Sequence, residues 1–389
     1  MTTIANISII TMDNDKVIEN GYISFDESSG KIIEVSAGRP NSDGKIIDGN
    51  GFVAAPGFID GHTHLGLIES SLTFEGDDCN ETGEPCEPGL RALDGINPFD
   101  SYFDEARAAG VTTVAVAPGS ANPIGGQICV IKTSGRRVDN MLVQDAAAMK
   151  FALGENPKSV YHGKNQSPET RMATAAMIRE MLIKASKYNE KMKEYSSGDA
   201  ECDEPEYDMK NEALAKVLDR EMKAHFHAHR ADDIFTAMRI ANEFSLDYII
   251  VHCTEGYKIA DELAAEGVGA FVGPNLCDRS KPELAGLTFD NPRILAENGV
   301  LFALTTDHPV IPINYLPLCA SLAEKNGLSH NEALKSVTVN PAKLLGIEDR
   351  VGSIKAGLDA DIVLFDGEPL NFDSHVKSVY INGKIVYNA

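Results

Sequence analysis

Hydrophobic and polar positions follow two different rhythms along this chain. In residues 1–53, short runs rich in Ile and Val, namely Ile4–Thr11, Gly21–Phe25, Lys31–Ser36 and Lys45–Asp48, are separated by Asp, Asn, Gly, Ser and Pro. Apolar runs of this length between turn residues predict strands, and no helical period interrupts them. The C-terminal end has the same texture. Asp361–Phe365 and Val376–Tyr387 read as strands, with Asn382-Gly383 as a hairpin turn between Ser378–Ile381 and Lys384–Tyr387. Strand clusters at both ends predict one small composite β-sandwich domain made of 1–53 and 351–389.

Residues 54–350 alternate short apolar strands with longer helical stretches, the pattern of a parallel α/β fold. Eight strands are expected: Phe58–His64, Val111–Ala117, Gln127–Lys132, Ala148–Leu153, Lys223–His229, Tyr248–Cys253, Gly269–Gly273 and Leu301–Asp307. Eight is the number of a (β/α)8 barrel, or TIM barrel. Pro168–Lys187, Asp232–Phe244, Tyr257–Ala265 and His330–Val337 carry apolar residues at helical spacing. Ser329 followed by Glu332 predicts a capping box on the last of these. The link Pro118–Gly126 is too short for a helix, so the barrel is expected to be distorted there. Two polar stretches, Glu75–Asp94 and Tyr195–Asn211, read as insertions. The first follows a barrel strand, where loops build active sites, and is open to reading as a lid or as a surface loop.

Composition narrows the partners. The chain has 389 residues with 43% hydrophobic and 24% charged content, as expected of a globular protein. Its net charge of −23 argues against nucleic acid and against anionic membrane surfaces, which require a basic face. Seven cysteines, Cys79, Cys86, Cys129, Cys202, Cys253, Cys277 and Cys319, are scattered without a C-x-x-C pair. That fits reduced thiols, with a local bridge or minor metal site between Cys79 and Cys86 as the alternative. No basic, apolar leader opens the chain, and no apolar run approaches the roughly 20 residues of a membrane helix. A cytoplasmic enzyme acting on a small molecule is the expectation, and a homo-oligomer stays open.

The chemistry concentrates in Pro56-Gly57-Phe58-Ile59-Asp60-Gly61-His62-Thr63-His64. His62 and His64 alternate on a strand, so both imidazoles face one side, the barrel interior. Nitrogen donors placed so can hold Zn²⁺ or a similar divalent metal. Lys223-Ala224-His225-Phe226-His227-Ala228-His229-Arg230 repeats the alternation with three histidines, of which one or two can reach a single metal. His252 ends one apolar strand and Asp307 another, and His308 follows Asp307 without an assigned role. Asn165–Arg171 reads as an ordinary helix start rather than an anion site. Phosphate-loop, serine and cysteine nucleophile motifs are absent.

The Pro56–His64 segment resembles the signature of the amidohydrolase superfamily. Asn340-Pro341-Ala342-Lys343-Leu344-Leu345-Gly346-Ile347 and Val351–Phe365 are similar to the segments by which such chains return to their β domain. The resemblance spans nearly the whole chain and is nearest in flavour to the imidazolonepropionase-like branch. It implies a distorted barrel with four histidines and one aspartate around metal, often with a bridging carboxylated lysine or a glutamate. Carried onto this sequence, it implies His62, His64, His227, His252 and Asp307 as ligands. His252 binds metal or polarises the substrate, and Asp307 serves as general acid and base. His225 is expected to be a buried, hydrogen-bonded histidine, and His229 with Arg230 to meet substrate. Lys150, as a carboxylated bridge, and Glu155, as a direct ligand, are alternatives that decide between two metals and one.

The resulting expectation is hydrolysis of a C–N bond by metal-activated water. Zn²⁺ is favoured, with Fe, Mn or Ni open, and the reaction is not that of an ordinary endopeptidase. Cyclic amides, N-acyl amino acids, dipeptides and amino-heterocycles all qualify, because fold and ligands do not choose among them. The competing classes are a non-catalytic scaffold, which metal content would exclude, and a metal-dependent isomerase or decarboxylase, which would incorporate no solvent oxygen.

Overall fold

Alternating Ile and Val residues in the first fifty positions bury one face of a sheet that the chain leaves and later rejoins. The computed structural model describes residues 1–41, 44–197 and 203–389, so Cys202 and part of the 195–211 insertion lie outside the described residues. Strands β1 (Thr2–Ile10), β2 (Val17–Asp26) and β3 (Lys31–Ala37) pair antiparallel. The short strands β4 (Lys45–Asp48) and β5 (Val53–Pro56) both pair parallel with β1. The C-terminal strands β14 (Ile362–Phe365), β15 (Val376–Ile381) and β16 (Lys384–Asn388) extend the same sheet from β5. Its core contains Ile4, Ile9, Ile23, Phe25 and Ile362. Asn382 and Gly383 take φ of 49° and 71° in the β15–β16 turn, the left-handed pair that a tight hairpin needs.

The second sheet is the barrel. Strands β6 (Phe58–Thr63), β7 (Val111–Val116), β8 (Ile124–Lys132) and β9 (Leu142–Ala152) neighbour one another in that order. They continue into β10 (Lys223–Ala228), β11 (Tyr248–His252), β12 (Gly269–Val272) and β13 (Phe302–Leu304). The seam between β13 and β6 is held by side chains. Buried Asp60 accepts from Thr306 Oγ1 at 2.6 Å, from Thr306 N at 3.0 Å and from Thr305 Oγ1.

One strand runs against the expected direction. The third strand, β8, is antiparallel to both β7 and β9, while the other neighbours in the barrel are parallel. The short link after β7 cannot carry a crossover, which takes a dozen or more residues, so the chain turns back on itself. The Glu75–Asp94 stretch lies along this reversed strand as a hydrogen-bonded cover. Cys86 and Arg91 form bridges with Ile124 and Gln127, and Asn122 Nδ2 donates to Glu81 O and Glu84 O.

Helices α1 (Tyr102–Ala108), α2 (Glu155–Gly163), α3 (Arg171–Ser196), α4 (Met209–Leu218) and α5 (Ala231–Glu243) lie between the strands. They are followed by α6 (Ala260–Glu266), α7 (Asn291–Glu297), α8 (Leu316–Lys325), α9 (His330–Lys335) and α10 (Val339–Leu345). Ser329 Oγ caps α9 by accepting from Glu332 N, but the Glu332 carboxylate pairs with Lys335, so half of the expected capping box forms. Thr170 caps α3 and Arg171 pairs with Asp233 at 2.8 Å, which makes that segment a helix start without an anion site. Cys79, Cys86, Cys129, Cys253, Cys277 and Cys319 are free thiols, so the Cys79–Cys86 bridge does not form. Among the described residues no helix is long and apolar enough to cross a membrane.

The barrel floor is packed with Ile59, Ala115, Ile128, Val130, Ile249 and Phe271. Gly61 is required there, because a Cβ on it would lie 1.9 Å from Cε1 of Phe271. At the same end the barrel is bolted to the first sheet by charge. Lys132 Nζ, at the end of β8, lies 2.7 Å from Asp361 and 3.0 Å from Asp359, all three buried.

Candidate metal centre

Strand alternation carries six histidines and a lysine into the barrel interior, and the C-terminal ends of the strands raise most of them to its mouth. His62 and His64 project from the end of β6, and Asp307 follows β13. Asp307 Oδ1 stands 3.3 Å from His64 Nε2 and 3.6 Å from His62 Nε2. Four bonds of about 2.1 Å around one cation put ligand atoms about 3.4 Å apart, so this trio fits a metal. Nδ1 of His64 donates to Ala117 O at 2.7 Å, which fixes the ring with Nε2 toward Asp307.

A second trio stands beside the first. His227 and His229 come from β10 and His252 from the end of β11, with their ligand nitrogens all within 4.8 Å of one another. The rings of His229 and His252 stack at 4.3 Å, and those of His62 and His252 meet edge-on at 5.4 Å. His252 Nδ1 donates to Gly273 O at 2.7 Å, so its Nε2 also presents a lone pair. His252 and Asp307 both have left-handed backbones, with φ of 75° and 52°. Such conformations cost non-glycine residues about 1–3 kcal/mol each and collect at functional sites.

Lys150, on β9, is fully buried with Nζ 3.0 Å from His62 Nε2. Burial lowers its pKa to about 8, although the Asp307 carboxylate and the Cys79 sulfur favour its charge. Burial likewise holds His62, His227 and His252 well below the ordinary imidazole value, and His229 at about 3. These imidazoles are neutral, the form that donates to a metal. His64 is the exception. Burial lowers it, but the Cys79 sulfur and the Asp307 carboxylate beside it outweigh that and push it up to about 10.

The structure brings together His62, His64, His227, His229, His252, Asp307 and Lys150. It does not bring in Glu155 or Arg230. Glu155 opens α2 instead of ending the strand, falls outside both ligand clusters, and accepts from Glu283 N at 3.3 Å. The Arg230 guanidinium is spent on Asp232 in a two-pronged pair at 2.9 Å and is 41% exposed. His225 sits one step deeper than His227, fully buried, but neither of its nitrogens has a hydrogen-bond partner among the described residues. His308 accepts from Ile313 N at 3.1 Å and packs on Tyr102, turned away from Asp307.

Sequence reasoning missed several groups around the same cavity. This cavity, of about 440 Å³, is lined by His64, His227, His229 and Asp307 together with Cys79, Asn156 and Lys281. Glu283, in the short turn Pro282–Leu284 after β12, is 1% exposed and lies 3.7 Å from both His227 and His229. No local pattern marks Glu283 among the 58 acidic residues.

Known proteins give the same reading of the fold. An amidohydrolase tasK of Hapsidospora irregularis is 29% identical over 95% of this chain, although the chain spans only 39% of that protein. An imidazolonepropionase of Streptococcus sanguinis is 26% identical, with 96% of this chain and 92% of that protein covered. The crystal structure of an amidohydrolase from Thermotoga maritima matches with a TM-score of 0.95 and 41% identity, covering 100% of both chains. The model of the amidohydrolase family matches residues 53–386. This chain therefore belongs to the amidohydrolase family, a hydrolase of C–N bonds in small molecules.

Proposed function

We propose that this hydrolase is metal-dependent and that its reaction takes place between the two histidine clusters. The observation that supports this best is the arrangement of His62, His64 and Asp307 at cation-cage distances beside His227 and His252, with His64, His227 and Asp307 open to one cavity. Nitrogen and oxygen donors of this kind suit Zn²⁺ or another first-row divalent ion, with Fe, Mn and Ni as alternatives. When bound, such a cation polarises the substrate carbonyl and makes water acidic enough to attack near neutral pH. His252 holds the cation or turns its Nε2 to the carbonyl. Asp307 takes a proton from the attacking water and returns it to the leaving nitrogen, as a carboxylate within hydrogen-bond reach can do.

Lys150 adds a two-metal version of this reading. Its depressed pKa leaves part of the amine neutral at neutral pH. A neutral amine adds CO₂, releases one proton and becomes a carbamate able to bridge two cations. The polar lining of the cavity, including Asn156, Ser120 and Lys281, suits a small polar amide: a cyclic amide, an N-acyl amino acid, a dipeptide or an amino-heterocycle.

The test is a metal-replete substrate screen with Asp307→Asn as the blank. Asp307→Asn is expected to keep the fold and much of the metal but to lose about 10²–10⁴-fold in turnover. Wild-type turnover in that variant would sink the assigned role.

A further inference from the structure

Among the described residues, Lys281 is the only lysine or arginine lining the reaction cavity, where Asp278 and Asp307 are the carboxylates. Its side chain is 44% exposed and gives one hydrogen bond among the described residues, to Asn156 Oδ1 at 3.0 Å. Glu283 Oε1 stands 3.8 Å away, beyond hydrogen-bond reach. An ammonium carries three protons, so two are left for a ligand in the cavity.

The bond to Asn156 also orders the wall beside it. Lysine only donates, so the Asn156 oxygen must face Lys281 and the Asn156 amide nitrogen must face the other way. That nitrogen donates to Ser120 Oγ at 2.7 Å and lies 3.5 Å from His227 Nε2. Ser120 is thereby fixed as an acceptor from Asn156, and its own proton is free to donate. Both Ser120 and Lys281 line the cavity. A positive charge and a hydroxyl proton on one wall make a receptor for an anionic oxygen pair.

The receptor lies at a definite reach from the proposed chemistry. Glu283 Oε1 is 3.8 Å from Lys281 Nζ and 3.7 Å from His227 Nε2, so the ammonium stands within two such contacts of a ligand nitrogen. A carboxylate one residue beyond a scissile amide carbonyl is roughly 3.5 Å further along the chain. A charge-assisted hydrogen bond of about 2.8 Å completes the span. In N-acyl amino acids and in dipeptides alike, that group is the free α-carboxylate of the leaving amino acid. An uncharged cyclic amide or amino-heterocycle leaves the ammonium unmatched.

We propose that Lys281, with Ser120 positioned by Asn156, binds the α-carboxylate of the leaving amino acid, so that the substrate is an N-acyl amino acid or a dipeptide. The inference rests on the reaction site proposed above and selects among the substrate classes left open there.

The test uses metal-replete wild type, Lys281→Met and Lys281→Arg. Each is given N-acetyl amino acids and dipeptides, and the same compounds capped as C-terminal carboxamides, with products quantified by mass spectrometry. The wild type is expected to favour free acids over carboxamides by about 10- to 100-fold in kcat/KM, in one of the two series or in both. Lys281→Met is expected to lose that preference, the loss falling chiefly on KM, and Lys281→Arg to keep much of it. Hydrolysis in the acetyl series alone identifies an acylamino acid, and in the dipeptide series alone a dipeptide. A wild type indifferent to the cap, or a folded Lys281→Met that keeps the preference, would overturn the inference. Should Lys281→Met not fold, the wild-type comparison and Lys281→Arg still decide. Turnover of uncharged cyclic amides or amino-heterocycles with none of either series sinks this inference and leaves the metal-dependent reading standing. No turnover of any compound sinks it too, and the metal content of the wild type then decides separately whether the metal-dependent reading falls with it.

Discussion

Replacing Lys132 with methionine removes the charge that joins the barrel to the sheet built from the chain ends while keeping a side chain of similar length. Lys132 Nζ sits between Asp361 at 2.7 Å and Asp359 at 3.0 Å, and each of the three is less than one-tenth exposed. The loss is not shared equally. Asp359 keeps Lys31 at 2.7 Å and Arg350 at 2.9 Å. Asp361 keeps a bond from Asn382 N at 3.0 Å, but among the described residues it has no second ion pair. Removing one partner of a buried pair costs about 3–5 kcal/mol. With Asp359 still neutralised, the lower end applies, about 3 kcal/mol. An unfolding entropy of about 2.1 cal/mol/K per residue over 389 residues is about 0.8 kcal/mol/K, so Tm should fall by about 4 °C. Scanning calorimetry on metal-replete protein reads this directly. Lys132 pairs with Thr113 near the start of β7, at the opposite end of the barrel from the histidines, so metal content and kcat/KM should stay near wild type. Adding Asp361→Asn to Lys132→Met should restore most of the lost stability, because the uncompensated charge is then gone. A Tm within about 1 °C of wild type, or a double variant no better than the single one, would refute the reasoning.

Asp359 carries a pH dependence of definite sign. Burial raises its pKa, but Lys132, Lys31 and Arg350 outweigh that and hold it below the ordinary 3.8. The folded state therefore binds the proton less readily than the unfolded one. Its contribution is full above 3.8 and is lost as pH falls below that value. Urea midpoints between about pH 3 and 7 should show this acid slope, reduced in Asp359→Asn. Gly61→Ala drives a methyl into the Phe271 ring and should cost about 1–3 kcal/mol, read as a lower Tm together with weaker metal retention. Removal of metal by a chelator should abolish turnover and lower Tm. Zn²⁺ at a thousandfold excess over Kd should restore about 4 kcal/mol, and turnover that survives complete metal removal would contradict the proposed function.

Much of this protein was legible in its sequence because its signals are local. Strand alternation alone places His62 and His64, or His227 and His229, on one face, since side chains two apart point the same way. The Asn382-Gly383 turn and the Ser329 cap need only their neighbours. Where a decision depended on distant parts of the chain, the pattern was silent. The length of the link after β7 warned of distortion, but the reversal of β8 became definite only in the pairing of β7, β8 and β9. Lys150 and Glu155 looked like rivals five positions apart. Tertiary structure separated them by ending the strand before Glu155 and starting a helix there, which leaves Lys150 against His62 and sends Glu155 to Glu283. Arg230 was expected at the cavity and was instead taken by Asp232, two residues on. Glu283 had no signal at all, because a carboxylate in a short polar turn is ordinary until the fold buries it against two histidines. The sequence by itself determined which side chains could act as ligands, since donor type and strand period are properties of short segments. Only the tertiary structure decided which of them stand together, since that depends on strand order and on turns that bring residues from far along the chain within a few ångströms.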